Sequence, residues 1–240
     1  YNAAAAKGAT EFSDFATRIA NGEPPRWFYA LLTINRLVMP VKKRQLPGAA
    51  ADCRPVGVPQ PDRCCIERAI ALAVEAAHVA YLAPQHLGVG VKGGIALLVH
   101  GLRALMEAHP EFLFLSLDTR NAHNEFEREE CLRAYAELVE DHPDLANLVP
   151  YMHCTLAAEV RVWAGRLWLT ARSSRGGAQG APLSSAEYCT TTHPAVLRLH
   201  SAVSTNGGAA CFFSDNGFVA GLAADVWPAV AQFEADLGNL

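Results

Sequence analysis

The sequence lacks the features that would place it in a membrane or in an oxidising compartment. None of its apolar runs reaches the roughly 18 residues that a membrane-spanning helix needs. Its seven cysteines are an odd number, and no two of them have the spacing of a zinc knuckle. The nine histidines are scattered along the chain. These absences argue against a membrane span and a disulfide framework. They predict an intracellular protein, either nuclear or cytoplasmic.

The charge of the chain is low overall but unevenly distributed. Hydrophobic residues make up 51% of the sequence, charged residues make up 18%, and the formal net charge is −4. Basic residues prevail between Arg36 and Arg68, and acidic residues prevail from Glu107 to Asp144. A basic segment facing an acidic, metal-binding segment would suit a polyphosphate substrate. Two ordinary solvated surfaces would produce the same pattern, and such surfaces are the commoner explanation.

The order of apolar runs and breakers predicts a mixed α+β domain. A strand is predicted at Phe112–Asp118, a hairpin over Val160–Ala171, and a further strand ending at Asp215. An earlier basic hairpin would pair Val41–Arg44 with Arg54–Pro59. The predicted helices are Glu11–Ala20, one beginning at Trp27, Cys64–Tyr81, Ile95–Ala108, Glu125–Glu140, Ser184–Ser201 (interrupted by Pro194) and Leu222–Leu237.

Two of these strands end in a carboxylate. Phe112–Asp118 is a short apolar run that predicts a buried strand ending in Asp118. About a hundred residues later, Cys211–Asn216 has the same pattern, an apolar run followed by Asp215. A carboxylate at the end of a rigid strand can reach a cleft. Two such strands side by side could bring both carboxylates to one divalent ion or to two, and we expect Asp118 and Asp215 on adjacent antiparallel strands.

A glycine-rich stretch offers a competing interpretation. Gly88-Val89-Gly90-Val91-Lys92-Gly93 matches the dinucleotide-binding fingerprint letter by letter. That fingerprint requires a preceding strand and a following acidic residue within a βαβ unit. Because a helix is predicted before Gly88, a loop that joins two helices is the better interpretation.

Several motifs follow one another in the order found in a known family. Lys42, Lys43 and Arg54 come first, then Gln85-x-x-Gly88, then Asp118 with Asn121-Ala122. Gly177-Ala178-Gln179-Gly180-Ala181-Pro182-Leu183 and Phe213-Ser214-Asp215-Asn216 complete the series. This order resembles the reverse transcriptase domain of non-LTR retrotransposons, which is a right-hand polymerase. The resemblance implies fingers and palm over residues 37–240, preceded by a helical extension over residues 1–36. It further implies an antiparallel palm sheet backed by helices, with the thumb absent.

The resemblance also implies a role for each matched residue. Asp118 and Asp215 would be catalytic and would bind two Mg²⁺ ions, with Mn²⁺ as the alternative, and the metal-binding set would include Thr119 and Asn216. The positions implied to bind nucleotide or template are Lys42, Lys43, Arg54, Asn121, Ala122, His123, Gln179 and Gly180. The implied partners are an RNA template, a DNA primer and deoxynucleoside triphosphates. The implied reaction is two-metal nucleotidyl transfer to the primer 3′-hydroxyl, and hard oxygen ligands suit such ions.

The chain departs from the family pattern at three positions. Asn216 replaces the second Asp of the aromatic-x-Asp-Asp motif, Ala181 replaces the Asp that usually follows Gln-Gly, and His123 replaces an aromatic residue. Three functions are therefore open. They are an RNA-directed DNA polymerase domain, a catalytically impaired polymerase-like module that still binds nucleic acid, and a small-molecule α/β enzyme that uses the Gly88 loop.

Overall fold

The computed structural model describes residues 3–38, 56–119, 121–156, 160–164 and 167–238. The described helices are α1 (Ala3–Ala20), α2 (Arg26–Leu32), α3 (Pro61–Ala73), α4 (Glu75–Leu82), α5 (Gly94–Ala108), α6 (Ala122–Glu125), α7 (Arg128–Asp141), a 3₁₀ helix (Pro143–Leu148), α8 (Val149–Leu156), α9 (Ser184–Ser204) and α10 (Ala223–Leu237). The described strands are β1 (Asn35–Val38), β2 (Val56–Val58), β3 (Leu113–Asp118), β4 (Val160–Ala164), β5 (Leu167–Ser173), β6 (Ala209–Phe213) and β7 (Asn216–Gly221). Among these residues, no helix is long and apolar enough to cross a membrane.

A three-stranded antiparallel sheet contains Asp118, and one of its turns contains Asp215. Its strand order is β3-β7-β6, and β6 and β7 form a hairpin. Alternate residues of β3, Leu113, Leu115 and Leu117, pack against the core that α9 and α10 cover. Because successive side chains of a strand point to opposite faces, Ser116 and Asp118 lie on the other face, where both are exposed.

A second sheet has four strands in the order β2-β1-β4-β5, with β1 and β2 before β3 in the chain and β4 and β5 after it. β1 pairs with β2 antiparallel, with Leu37 opposite Gly57, and pairs with β4 in parallel. The hairpin predicted over 160–171 is confirmed as the antiparallel pair of β4 and β5. The predicted basic strand Val41–Arg44 lies outside the described residues.

The core consists of two clusters of buried side chains. The larger one joins α1 and α2 to α3, α7, α8 and the start of α9, and includes Ile19, Tyr29 and Tyr151. The smaller one fills the space between the three-stranded sheet, the rest of α9 and α10, around Phe212 and Phe233. The predicted division of the chain between residues 36 and 37 falls within β1 and stays a prediction.

The structure corrects three sequence-based expectations about these elements. The helix predicted over Cys64–Tyr81 is broken at Val74 into α3 and α4. Pro194 does not interrupt α9, which continues through it to Ser204. The strand before Asp118 is half-buried rather than buried, since only its Leu113, Leu115 and Leu117 side faces the core.

Candidate active site

The two aspartates lie at the same end of the three-stranded sheet. Asp118 is the last residue of β3 and is paired across the sheet with Asn216, the first residue of β7. The Thr119 amide donates a hydrogen bond to the Asp215 carbonyl oxygen at 3.3 Å. Since directly opposed Cα atoms are about 4.5–5.5 Å apart and chain neighbours about 3.8 Å, the Asp118 and Asp215 Cα atoms are within about 9 Å. The expected adjacent strands are not observed, because β7 lies between β3 and β6 and Asp215 belongs to the turn after β6. Metal binding stays a prediction.

Asp215 lies in the tight turn of the β6–β7 hairpin. Phe213 and Asn216 are the last paired residues, so Ser214 and Asp215 form a two-residue loop. Ser214 has φ +58° and Asp215 has no positive φ, which is the signature of a type II′ turn. A non-glycine residue in this region costs of order 1 kcal/mol and persists where the surroundings impose it. The turn is therefore held by contacts outside the hairpin.

Gly88 provides one of those contacts. The segment Gln85–Gly88 runs along the free edge of β6, where the Leu87 amide donates to the Phe212 carbonyl at 2.8 Å and the Phe212 amide donates to the Gln85 carbonyl at 2.6 Å. A Cβ atom at Gly88 would lie 2.6 Å from the Ser214 backbone nitrogen. Backbone packing against the Asp215 turn thus explains Gly88 without a dinucleotide.

His123 and Tyr188 lie close to the two aspartates. The His123 Nε2 atom is 3.4 Å from the Ser214 hydroxyl, and the His123 ring packs edge-to-face on Tyr188 at 5.4 Å. Burial raises the pKa of Tyr188 to about 12, and the negative charges of Asp215 and Asp118 add to this effect. His123 therefore joins the α6 segment, which follows Asp118, to the turn that carries Asp215.

Gln179 and Gly180 lie in a loop that reaches α6 and β2. The Gly177 amide donates to the His123 carbonyl at 2.8 Å. A Cβ atom at Gly180 would lie 3.3 Å from the Gly57 carbonyl oxygen. The Gln179 Oε1 atom is buried and has no hydrogen-bond partner among the described residues. The loop thus connects the surroundings of Asp118 with the four-stranded sheet.

The other predicted binding positions divide into two groups. Ala122 is buried at the start of α6, while Asn121 is exposed, adopts φ +55° and donates from Nδ2 to Glu125 Oε1 at 3.3 Å. Both lie close in sequence to Asp118. Lys42, Lys43 and Arg54 fall outside the described residues, so their predicted role stays a prediction.

Several charges of the predicted basic and acidic segments are paired in the part of the chain that the structure describes. Arg63 is buried and forms an ion pair with Glu67 at 2.6 Å, so it adds no charge to an open surface. On the acidic side, Glu127 pairs with Arg175 at 2.6 Å and Glu130 pairs with Arg133. These pairs lie outside the Asp118–Asp215 site.

A buried polar network, which sequence analysis did not detect, links α3, α8 and α9. Tyr151 donates a hydrogen bond from its hydroxyl to Glu67 at 3.0 Å. Glu187 is buried on α9, where burial and the nearby Glu67 carboxylate raise its pKa to about 7, partly offset by Arg63 and Arg128. The i,i+4 spacing of Arg63 and Glu67 was the only available signal.

Comparison with known proteins identifies the fold. No protein-family model matches this sequence, and no curated protein matches it. Two similar solved structures are telomerases. Apo telomerase of Candida tropicalis, truncated from its C-terminal domain, superposes with a TM-score of 0.58 at 11% identity, over 85% of this chain and 47% of the telomerase chain. Telomerase of Candida albicans, in complex with a fragment of telomeric RNA, gives 0.55 at 11% identity, over 84% and 40%.

The fold is similar to that of these telomerases. At 11% identity the likeness carries the fold and no more. The chain spans less than half the length of either telomerase. Within this fold, Asp118 and Asp215 lie at one end of the three-stranded sheet, with His123 and the Gln179 loop beside them.

Proposed function

We propose that this chain is the fingers and palm of a reverse transcriptase domain from a non-LTR retrotransposon. In this assignment the three-stranded sheet is the palm and the four-stranded sheet belongs to the fingers. The observation that carries the proposal is the β3–β7 register, which puts Asp118 opposite Asn216 and next to Asp215. The ordered motifs quoted above and the likeness to telomerase structures support it.

The oxygen atoms at this sheet end suit Mg²⁺ or Mn²⁺. Asp118 and Asn216 are exposed and Asp215 is partly exposed, so their side chains are open to solvent. Among the described residues no three or more His, Cys, Asp or Glu side chains are grouped so that they could hold a metal ion. Two carboxylates fit ions that complete their coordination with water and substrate phosphates. The ions would be held by the Asp118 and Asp215 carboxylates, the Thr119 carbonyl and the Asn216 amide oxygen.

The bound ions would acidify the primer 3′-hydroxyl and neutralise the charge of the leaving pyrophosphate. The chain's own residues supply binding and orientation. Lys42, Lys43 and Arg54 would contact the triphosphate. His123 would pack beside the sugar, next to Asn121 and Ala122. Gln179 and Gly180 would contact the base pair between the nucleotide and the template.

The proposed partners are an RNA template, a DNA primer and deoxynucleoside triphosphates. The telomerase of Candida albicans was determined with an RNA fragment, which accords with an RNA ligand for this fold. The six described cysteines are free thiols. This agrees with a protein that works in a reducing compartment, either the nucleus or the cytoplasm.

A second function is favoured by Asn216. Its Nδ2 atom donates a hydrogen bond to Asp215 Oδ1 at 3.2 Å. The amide therefore occupies one oxygen of the Asp215 carboxylate and adds no negative charge to the site. A chain with this site would bind nucleic acid and nucleotide while catalysing slowly. The alternative function is therefore that of a catalytically impaired polymerase-like binding module.

Metal binding by the purified chain tests the assignment. We expect Mn²⁺, followed by electron paramagnetic resonance, to bind wild type, and we expect Asp118→Asn and Asp215→Asn each to lose about tenfold or more in affinity, because a ligand is removed. Asp141→Asn, an exposed carboxylate at the end of α7, is the control. Equal Mn²⁺ affinity in all four proteins would contradict the proposed site.

A further inference from the structure

Arg128 is buried at a position where helix formation does not favour it. It is the first residue of α7, and a cation at a helix N-terminus faces the positive end of the helix dipole. Only 9% of Arg128 is exposed, and burial lowers the pKa of its guanidinium. The unfavourable helix dipole and the loss of hydration must therefore be offset by hydrogen bonds and charges from the groups around Arg128.

Those groups belong largely to the segment that leads into the Gln179 loop. Arg128 Nε donates to the Gly176 carbonyl at 2.8 Å, and its NH2 group donates to the Arg175 carbonyl at 3.2 Å and to the Ser173 hydroxyl at 3.3 Å. The NH1 group donates to the Leu156 carbonyl at the end of α8, at 3.2 Å. Five donors in a planar fork allow one guanidinium to bind several carbonyls at once, which an ammonium group cannot reproduce.

The same segment also donates hydrogen bonds of its own, from two backbone amides to carbonyls at and near α6. Gly176 donates to the Phe126 carbonyl at 2.8 Å, and Gly177 donates to the His123 carbonyl at 2.8 Å. Gly176 has φ +62°, and a Cβ atom there would clash with the His123 carbonyl and the Asn124 backbone. The segment and α6 are therefore in direct backbone contact, which only glycine permits.

Gln179 lies three residues after Gly176, and the backbone between them is fixed by hydrogen bonds. The Ala181 amide donates to the Ala178 carbonyl at 2.8 Å and closes a turn over Gln179 and Gly180. On the other side, Glu187 Oε2 lies 2.5 Å from the position of a Cβ atom at Gly177. The turn over Gln179 and Gly180 thus follows a segment that is hydrogen-bonded to Arg128 and packed against Glu187.

We propose that Arg128 is a positioning residue that sets the distance between Gln179 and His123, and through it the shape of the pocket for the paired nucleotide. This inference rests on the proposed function for the ligand. It goes beyond that function because it assigns a role to Arg128, whose hydrogen bonds to the Gly176 and Arg175 carbonyls lie next to the proposed binding loop. The pocket it shapes would accept a nucleoside triphosphate paired with a template base.

Arg63 offers a matched control for the test. It is as buried as Arg128, at 4% exposure, and its guanidinium is paired with Glu67 on its own helix. Arg128→Lys and Arg63→Lys each keep the charge and lose the planar fork, so both are expected to lower the midpoint of thermal unfolding. Only Arg128→Lys removes hydrogen bonds to the segment before Gln179.

Two measurements separate positioning from stability. By NMR hydrogen exchange, the Gly176 and Gly177 amides should exchange about tenfold faster in Arg128→Lys and unchanged in Arg63→Lys, because hydrogen bonds from a charged donor hold that segment. With a primer–template duplex and Mg²⁺ present, deoxynucleoside triphosphate affinity should fall about tenfold in Arg128→Lys alone, while duplex affinity stays at the wild-type value.

Each outcome decides. Unchanged exchange in Arg128→Lys, with nucleotide bound normally, would overturn the positioning role and leave the proposed function intact. Equal losses of nucleotide affinity in both variants would show that Arg128 acts through stability. A wild-type chain that binds neither nucleotide nor duplex would overturn the proposed function and the pocket together, even if exchange at Gly176 responds as expected.

Discussion

At the scale of single residues, the sequence located the aspartates but not the groups that hold them. Asp118 and Asp215 stand out because each follows an apolar run and ends it with a charge. Nothing in the local sequence indicates that Tyr188 lies near Asp118 or that His123 contacts Ser214. Those residues are 70 and 91 positions apart in the sequence, and only the tertiary fold brings them together. Buried polar partners at long range are therefore the part that pattern reading misses.

Three buried histidines predict a dependence of stability on pH. Burial lowers the pKa of His86 to about 3, and the pKa values of His78 and His193 to about 4. The unfolded chain has a histidine pKa of about 6.5, so it binds more protons than the folded chain below that pH. Stability contributed by each histidine is fully present above pH ~6.5 and is lost as pH falls towards the folded pKa.

The sharpest test uses His86, whose two ring nitrogens are buried without a hydrogen-bond partner among the described residues. We expect His86→Leu to raise the free energy of unfolding at pH 7 by about 1 kcal/mol, since two unpaired polar groups disappear. Between pH ~6.5 and ~3 the variant should lose stability more slowly, by up to about 1.4 kcal/mol per pH unit. Urea unfolding across this range measures both effects.

The titration of Glu187 is the reason for comparing the pH profile of His86→Leu with that of wild type. Its pKa of about 7 lies above that of an unfolded glutamate, so its contribution to stability is lost as pH rises from ~4.5 to 7. It therefore opposes the histidines over the same range, and the wild-type profile alone cannot isolate them. His100→Gln, at an exposed position of α5, is the control. Parallel pH profiles for His86→Leu and wild type would contradict the assignment.

At the scale of elements, periodicity and breakers located most helices and strands. The helix predicted over Ile95–Ala108 corresponds to α5, and the hairpin at 160–171 corresponds to β4 and β5. Exposure was less predictable, because an apolar helix is expected to be buried and yet Ile95 and Leu97 of α5 are more than half exposed. The break at Val74 carries no proline or glycine signal either. Such features depend on packing partners that are distant in sequence.

The edge contact between Gln85–Gly88 and β6 supports a prediction about the Asp215 turn. We expect Gly88→Ala to lower the free energy of unfolding by about 1–3 kcal/mol, because its Cβ would meet the rigid Ser214 backbone rather than a flexible side chain. The displaced turn should also weaken Mn²⁺ binding. Gly101→Ala is the matched control, since a Cβ there meets nothing within 4 Å and alanine stabilises a helix interior by about 0.5–1 kcal/mol. Denaturation that affects both variants alike would refute the contact.

At the scale of the whole molecule, the fold was predictable and the activity is not determined by it. An ordered series of short motifs over most of the chain indicated a reverse transcriptase, and two telomerase structures have the same fold. A fold hosts many activities, and function depends on the particular site. Here the site has one departure with a direct chemical consequence, at Asn216, and the activity of the chain should depend on it.

We expect the 240-residue chain to extend a DNA primer on an RNA template negligibly with Mg²⁺ at neutral pH. Asn216 can offer one carbonyl oxygen but no negative charge, and its amide donates to Asp215. Two carboxylates then face two divalent ions, so the second ion binds weakly.

Asn216→Asp should raise primer extension about tenfold or more, because an added charge at close range strengthens ion binding. Asn147→Asp, at an exposed position of the 3₁₀ helix, adds the same charge away from the site and should leave primer extension unchanged. Robust synthesis by the wild-type chain would show that Asn216 is no defect. Failure of Asn216→Asp to gain either Mn²⁺ affinity or extension would count against the palm assignment itself.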